Sequence, residues 1–479
     1  MRSSARSTTS DKLDTHQKAL AVNLDPRRYG TFAEIGAGQE VVRWFFRVGA
    51  AAGTIAKSIS AYDMAVSDAI YGRTQRYVCR ARLESMLKYE HQLNLERLRE
   101  ARGDTTAFFA FADTVAAKSY KGTNECHGWL GVRFQAHPRD EDSQILLHVR
   151  MLDNENALQQ EALGVVGVNL LYGAFFMHHD PDRLIESLLD NLSTERIEID
   201  MIEFSGIEFR HVDNRVMALR LVQLGLSGAA MFAPTGEVLQ PSEVLYKRPV
   251  LVERGSFVPV TRVHLDMLRC AHEEFTRAVG EGGAILELME ITMSNLLESG
   301  KGDLDYRDFL ARADVLAAAG KTVLISDYSE YYRLTNYLRR YTQRPVAIVL
   351  GAGSLTPLFD EKYYADLDGG ILECFGRLFK NDTKLYVYPL LDPAHGTLTT
   401  ASNFEPAPEL RKLYGYLMDR RCVVELQGFD NDCLKIFGRD VLRLIQSGDS
   451  SWQDSVPGEI ADVIKKRGFF GYRRANPGQ

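Results

Sequence analysis

Two short stretches, Thr322-Val-Leu-Ile and Val346-Ala-Ile-Val-Leu, are unbroken aliphatic runs. A strand with one wet face alternates apolar and polar residues, whereas a run without alternation needs cover on both faces. A parallel sheet flanked by helices supplies that cover, and its strands are joined by long, usually helical crossovers. The surrounding sequence has the matching rhythm. From about Leu163, helix-like and strand-like segments alternate. One helix opens at Asp180-Pro181, an acidic cap followed by proline in the first turn. Strands are predicted over 196–204, 229–232, 244–252, 284–291, 321–326, 345–350 and 384–388. Helices are predicted over 213–224, 306–319, 330–341 and 361–379, with one more running through Cys270 and Phe275. The fold class expected is α/β, a mostly parallel sheet with helices on both faces. A doubly wound arrangement comes first and a β/α barrel second.

The earlier part of the chain reads differently. Residues 31–98 have a helical pattern, with Leu83, Leu87, Leu95 and Leu98 at helical spacing. Residues 108–152 turn strand-like and alternating. The division expected is a disordered leader over 1–20, a helical and then antiparallel β region over 21–160, a parallel α/β domain over 161–445 and a polar tail over 446–479.

Composition narrows the partners. A net charge of -7 argues against nucleic acid, whose phosphates require a basic face. The apolar stretch 162–177 is too short and too interrupted to span a bilayer, so a buried element is expected and no membrane partner. Six cysteines stand apart without a CxxC pair, which reads as reduced thiols and a cytoplasmic location.

Several patterns could carry chemistry. Gly36-Ala-Gly38 opens a helix, where backbone amides can approach a phosphate. Val41 stands where the dinucleotide fingerprint has its third glycine, and no clear strand precedes the motif, so a plain glycine turn competes with that reading. Lys57, Ser58, Ser60, Tyr62, Asp63, Asp68 and Tyr71 make a dense polar run that could wall a ligand. Asn124, Glu125, Cys126 and His127 place a thiol beside an imidazole, although adjacent side chains seldom converge. His178 and His179 precede Asp180, which is better used as a helix cap than as a metal ligand, so no metal is expected. In an open parallel sheet the ligand lies beyond the carboxyl ends of the strands. That rule singles out Ser205, Gly206, Glu290, Ser326, Asp327, Asp392 and the turn Gly351-Ala-Gly353-Ser354, whose glycines could hold an anionic group in a backbone nest.

Whole segments also resemble an uncharacterised bacterial family labelled nicotinamide or nicotinate mononucleotide adenylyltransferase. The resemblance lies in Gly30-Thr-Phe-Ala-Glu-Ile-Gly-Ala-Gly-Gln-Glu-Val, Ser60-Ala-Tyr-Asp-Met, Ser67-Asp-Ala-Ile-Tyr-Gly, Leu146-Leu-His-Val-Arg-Met-Leu-Asp and Gly370-Ile-Leu-Glu-Cys-Phe-Gly-Arg-Leu-Phe. That label implies a nucleotidyltransferase. The enzyme's His-x-Gly-His turn is not found here, because His178 and His179 lack the glycine, so the resemblance transfers no catalytic residue.

The function expected is an enzyme acting on a nucleotide or another phosphorylated small metabolite, a nucleotidyltransferase among the forms that allows. The ligand is expected to be small and anionic, and the residues named for it are Gly351, Gly353, Ser354, Ser326, Asp327, Gly36, Gly38, Lys57 and Asp63. The sequence specifies neither a cofactor nor a catalytic residue. A non-catalytic ligand sensor and a self-assembling scaffold, hence a homo-oligomer, are the alternatives.

Overall fold

A computed structural model describes residues 12–36, 38–120, 122, 124–280, 283–297 and 304–473. The chain divides into two compact units, Met1–Ser227 and Gly228–Gln479.

The first unit is built on six strands: β1 (Arg28–Ile35), β2 (Ile55–Ile59), β3 (Ala107–Ala116), β4 (His127–Gln135), β5 (Asp142–Met151) and β6 (Ile197–Gly206). Their order is β2-β1-β3-β4-β5-β6. Strand β1 runs parallel to β2 and β3, and the pairings from β3 to β6 are antiparallel. Helices α1 (Thr15–Leu24), α2 (Glu40–Val48), α3 (Met64–Tyr71), α4 (Arg80–Arg102), α5 (Asn156–Phe176), α6 (Pro181–Ser187) and α7 (Asn214–Gln223) complete the unit. On one face Phe32, Phe109, Phe111, Val132 and Phe134 meet Val41 and Phe45 of α2 and Val166 and Leu170 of α5. The other face receives α4, which comes so close that a Cβ on Gly131 would lie 2.8 Å from the Leu87 side chain.

This part of the chain differs from the sequence expectation. Residues 28–35 and 55–59 are parallel strands and not helix, so the first unit mixes parallel and antiparallel pairing. Strand β1 is buried along nearly its whole length, so it has no alternation to betray it. Strand β6, grouped by sequence with the later parallel half, closes the first unit's sheet instead. Helix α1 begins at Thr15, inside the expected leader, and is fixed by a capping box between Asp14 and Gln17. Residues 1–11 lie outside the described residues.

The second unit carries β7 (Ala229–Phe232), β8 (Val238–Leu239), β9 (Val250–Arg254), β10 (Leu286–Thr292), β11 (Thr322–Ser326), β12 (Val346–Gly351), β13 (Lys384–Tyr388), β14 (Leu390–Leu391), β15 (Leu398–Thr399) and β16 (Val423–Glu425). Its main sheet has the order β16-β13-β12-β9-β10-β11-β7-β8. The six strands from β16 to β11 are parallel, and β7 and β8 add an antiparallel edge. Helices α8 (Pro241–Val244), α9 (Arg262–Val279), α10 (Met293–Leu297), α11 (Tyr306–Ala318), α12 (Tyr331–Arg339), α13 (Leu355–Leu358), α14 (Gly370–Leu378), α15 (Arg411–Asp419), α16 (Gly438–Ser447) and α17 (Gly458–Arg467) surround it. Val252, Leu288, Ile348 and Leu385 face α12, α14 and α15 through Leu334, Phe375 and Leu417. The opposite face packs on α9, where the rings of Phe275 and Tyr386 lie 6.2 Å apart. Helices on both faces of a largely parallel open sheet make this an α/β fold with no closed barrel. The region 446–479 is not a plain polar tail, because Trp452, Ile460 and Ile464 are buried.

One buried pair ties β1, β3 and α2 together. Glu34 and Asp113 are register neighbours on β1 and β3, and both are almost completely buried. Glu34 Oε1 accepts from Val41 N at 2.9 Å and Oε2 from Val42 N at 3.2 Å, so its carboxylate caps α2. Asp113 Oδ1 accepts from Ile35 N at 3.2 Å, while its Oδ2 has no donor. A proton shared between the facing carboxyls satisfies Oδ2. Burial first, and then the neighbouring carboxyl, push Asp113 well above the usual carboxylate range; burial raises Glu34 as well. A raised folded value means that this stability is complete below the unfolded pKa and is lost as pH climbs through the folded one. Asp113→Asn supplies the hydrogen permanently. It should therefore gain on the parent by about 1 kcal/mol per pH unit from pH 4 to near neutrality. Urea unfolding at pH 4.5 and 7.5 measures that gap.

Candidate functional site at the strand-order reversal

In the second unit the chain starts the parallel sheet at β9, adds β10 and β11 on one side, then returns to lay β12, β13 and β16 on the other. Neighbouring crossovers therefore leave β9 and β12 in opposite directions. In open α/β sheets the region beyond the carboxyl ends of two such strands is the usual ligand position.

Strand β9 ends in Glu253-Arg254-Gly255, and the strand pleat sends Glu253 and Arg254 to opposite faces. Arg254 is the better satisfied. Its Nε donates to Glu290 Oε2 at 2.8 Å and its Nη2 to Glu290 Oε1 at 3.0 Å, a bidentate pair between register neighbours on β9 and β10. Nη1 donates to Ser329 O at 2.6 Å and Nη2 also to Tyr328 O at 2.8 Å. The guanidinium lies 4.4 Å from the Tyr331 ring centroid. Burial works against its charge, but Glu290 outweighs burial and the net effect raises the pKa further. Ser326 Oγ, from the end of β11, donates to Glu290 Oε1 at 2.5 Å. A guanidinium has five donor hydrogens, and these contacts use four, so one Nη1 hydrogen remains for a further acceptor.

Glu253 is the opposite case. It is 1 % exposed, and neither carboxyl oxygen has a hydrogen-bond partner among the described residues. Burial drives its pKa well above the ordinary value, so the group is held as a neutral acid. The charge of Lys321 offsets that desolvation only in part.

The turn after β12 carries Gly351, Gly353 and Ser354 at the same end of the sheet. Ala352 is buried and Gly353 exposed. Neither glycine adopts a left-handed backbone, and a Cβ on Gly353 would meet only Leu390 Cδ2, at 3.2 Å. The conformation of the turn thus does not by itself require glycine. Of the residues named from the sequence, Gly351, Gly353 and Ser354 end or follow β12 and Ser326 and Asp327 end or follow β11, with β9 and β10 between the two strands. Asp327 is exposed, and its amide bonds to Gly228 O at 3.0 Å. Asp392 sits in the small β14–β15 hairpin, paired with His395 at 2.8 Å.

The other named residues belong to the first unit. Gly36 and Gly38 do follow a strand, β1, and precede α2, with left-handed φ of 109° and 83°. A Cβ on Gly36 would fall 1.9 Å from Val115 O, so glycine is obligatory there. The α2 amides of Val41 and Val42, which would face a phosphate, are engaged by Glu34. Lys57 ion-pairs with the fully buried Glu90, which also accepts from Tyr71 Oη at 2.8 Å. Asp63 caps α3, accepting from Ala65 N at 2.9 Å. Asp68 pairs with Arg82 at 2.9 Å. Much of the polar run of 57–71 is therefore spent on internal pairing. Ser205 and Gly206 end β6 and are not part of the parallel sheet. Asn124 holds its own loop through Ser119 N at 2.7 Å, and Asp180 caps α6 through Arg183 N at 3.2 Å.

Sequence reading passed over Arg254 and Glu253. The signal was present in two adjacent charges at the end of an aliphatic strand, Val250-Leu-Val-Glu-Arg-Gly.

No family model matches the chain, and no curated protein does. Among solved structures it is similar to the competence/damage inducible protein CihA of Agrobacterium tumefaciens, at 14 % identity over 33 % of this chain and 94 % of that one, with a TM-score of 0.25. A competence-damaged protein (CinA) superfamily protein of Klebsiella pneumoniae matches at 12 % identity over 33 % and 96 %, TM-score 0.26. One from Enterobacter cloacae matches at 12 % over 36 % and 98 %, TM-score 0.26. At these values the likeness extends to neither a shared fold nor a shared activity.

Glu253 yields a prediction of its own. Glu253→Met keeps an unbranched chain of similar length and removes a buried polar group, so it should stabilise the protein by about 1–3 kcal/mol at pH 7. The gain should shrink toward pH 4, where folded and unfolded Glu253 both carry the proton. Denaturant midpoints at the two pH values check this, and a loss of stability would mean that the carboxyl has an internal partner.

Proposed function

We propose that the protein is an enzyme acting on a nucleotide or another phosphorylated small metabolite, held at the carboxyl ends of β9 and β12. The strand-order reversal at β9 and β12 carries this reading, because open α/β sheets bind their ligands beyond the carboxyl ends of strands at such a reversal. Three features support it. The turn Gly351-Ala-Gly353-Ser354 offers backbone amides with little side-chain obstruction. Arg254, anchored on Glu290, keeps one donor hydrogen for an anionic group. Glu253 is a neutral acid on the same strand, able to donate to an acceptor. A polar group whose burial destabilises the free protein is the usual mark of a residue kept for a ligand.

The test is calorimetric titration of the purified protein with AMP, ATP, nicotinamide mononucleotide and inorganic phosphate. Binding of a nucleotide should weaken at least tenfold in Arg254→Met and in Gly353→Val. Gly353→Val should keep a denaturant midpoint close to the parent's, since the added Cβ meets only a flexible leucine end. If Gly353→Val binds as the parent does, the turn serves only the chain path. Turnover of a bound nucleotide, or its absence, separates an enzyme from a sensor that uses the same site.

A further inference from the structure

A row of three side chains crosses the first unit's sheet from its interior outward. Asp200 on β6 is fully buried, as is His148 on β5, and His127 at the start of β4 is half-buried. His148 Nδ1 lies 2.5 Å from Asp200 Oδ1, and His127 Nδ1 lies 3.0 Å from His148 Nε2. The row depends on a backbone irregularity. His148 pairs with Met201 and Val149 with Ile199, which leaves Asp200 as an extra residue in β6. Such a bulge re-aims a side chain, and bulges gather beside active sites. The Trp129 ring stands edge-on to His148, with centroids 5.0 Å apart, and covers the inner imidazole.

With Asp200 ionised and both rings neutral, the two contacts assign each ring nitrogen its role. An ionised carboxylate only accepts, so His148 donates from Nδ1 and keeps a lone pair on Nε2. His127 must then donate its Nδ1 hydrogen to that lone pair, which leaves His127 Nε2 unprotonated. No hydrogen bond to Nε2 is present among the described residues, and the outer ring is the one that water reaches. Around it stand Arg150 on β5, held by Glu198 of β6 at 2.9 Å, with Glu125 and Arg76 from the adjoining loops. Burial lowers His127 to about 4, so its ring is neutral throughout the neutral range.

We propose that the first unit holds a proton-transfer site of its own, in which His127 Nε2 takes the proton of an O–H group, on water or on a hydroxyl-bearing substrate. As the O–H bond breaks, its electron pair stays on oxygen and the proton binds Nε2. The Nδ1 proton of His127 passes to His148 Nε2, and the Nδ1 proton of His148 shifts toward Asp200. Charge is conserved, since the relay gains the proton that the oxygen loses. Arg150 and Arg76 favour the oxyanion that develops. This site is independent of the candidate site in the second unit, and Cys126, next in sequence to His127, has no part in it.

Nitrogen-15 spectra of the full chain read the protonation pattern directly. Both His127 and His148 should carry the hydrogen on Nδ1, the minority tautomer of a free imidazole. Diethyl pyrocarbonate acylates only unprotonated imidazole, and an ordinary exposed histidine is protonated at pH 5. At that pH the reagent should modify His127 in preference to the exposed His16, His137, His211 and His395, as peptide mass mapping would show. The selectivity should be lost in His148→Phe, with the ring-free variant His127→Gln as the assignment control. If His148→Phe fails to fold, Asp200→Asn tests the same dependence from the inner end. A hydrogen on His127 Nε2 in the parent protein, or no preferential modification of His127 at pH 5, overturns the proposal.

Discussion

Parallel strands all deliver their carboxyl ends to one edge, and most of what the second unit can do depends on that constraint. Backbone hydrogen bonding between β9, β10, β11 and β12 aligns four different loops side by side. Nothing local in the sequence brings Arg254 to Glu290. They are 36 residues apart and meet only because β9 and β10 pair in register. The bidentate geometry then stiffens the edge, since Ser326 from β11 and the carbonyls of Tyr328 and Ser329 are bound to the same two side chains.

How much of this was legible follows from how each residue declares itself. The aliphatic strands β11 and β12 are unmistakable because burial on both faces leaves their central residues uniformly apolar. Helices α9, α11 and α12 lie close to where the pattern puts them, whereas the helix expected over 361–379 is a short turn at Glu361–Tyr364 followed by α14, and α15, α16 and α17 were not predicted. The first unit is harder. Strand β1 leads to α2 through a few glycine-rich residues, and its buried run gives no alternation, so the pattern blends into the helix that follows. Strand β2 is short and half-exposed, and its Lys57 and Ser58 read as part of a polar run that could wall a ligand, although Lys57 is drawn inward by Glu90.

The candidate sites were legible only in part, for a related reason. Glycine turns are visible in sequence, whereas pairings across strands are not. His127 stood out for its neighbour Cys126, yet its real partners are His148 and Asp200, 21 and 52 positions along the relay's successive steps. The bulge that delivers Asp200 leaves no mark in the sequence, because Glu198-Ile-Asp-Met reads as ordinary alternation.

The cap that Glu34 places on α2 has a consequence for the glycine motif beside it. Gly36 and Gly38, both with left-handed φ, precede the positive end of α2, but the chain carries its own anion to that end. A tethered carboxylate competes with free phosphate as an intramolecular guest, at an effective concentration of the order of millimolar or more. The motif is thus an anion hole with a permanent tenant, and its resemblance to a nucleotide loop reflects shared backbone geometry rather than an open seat.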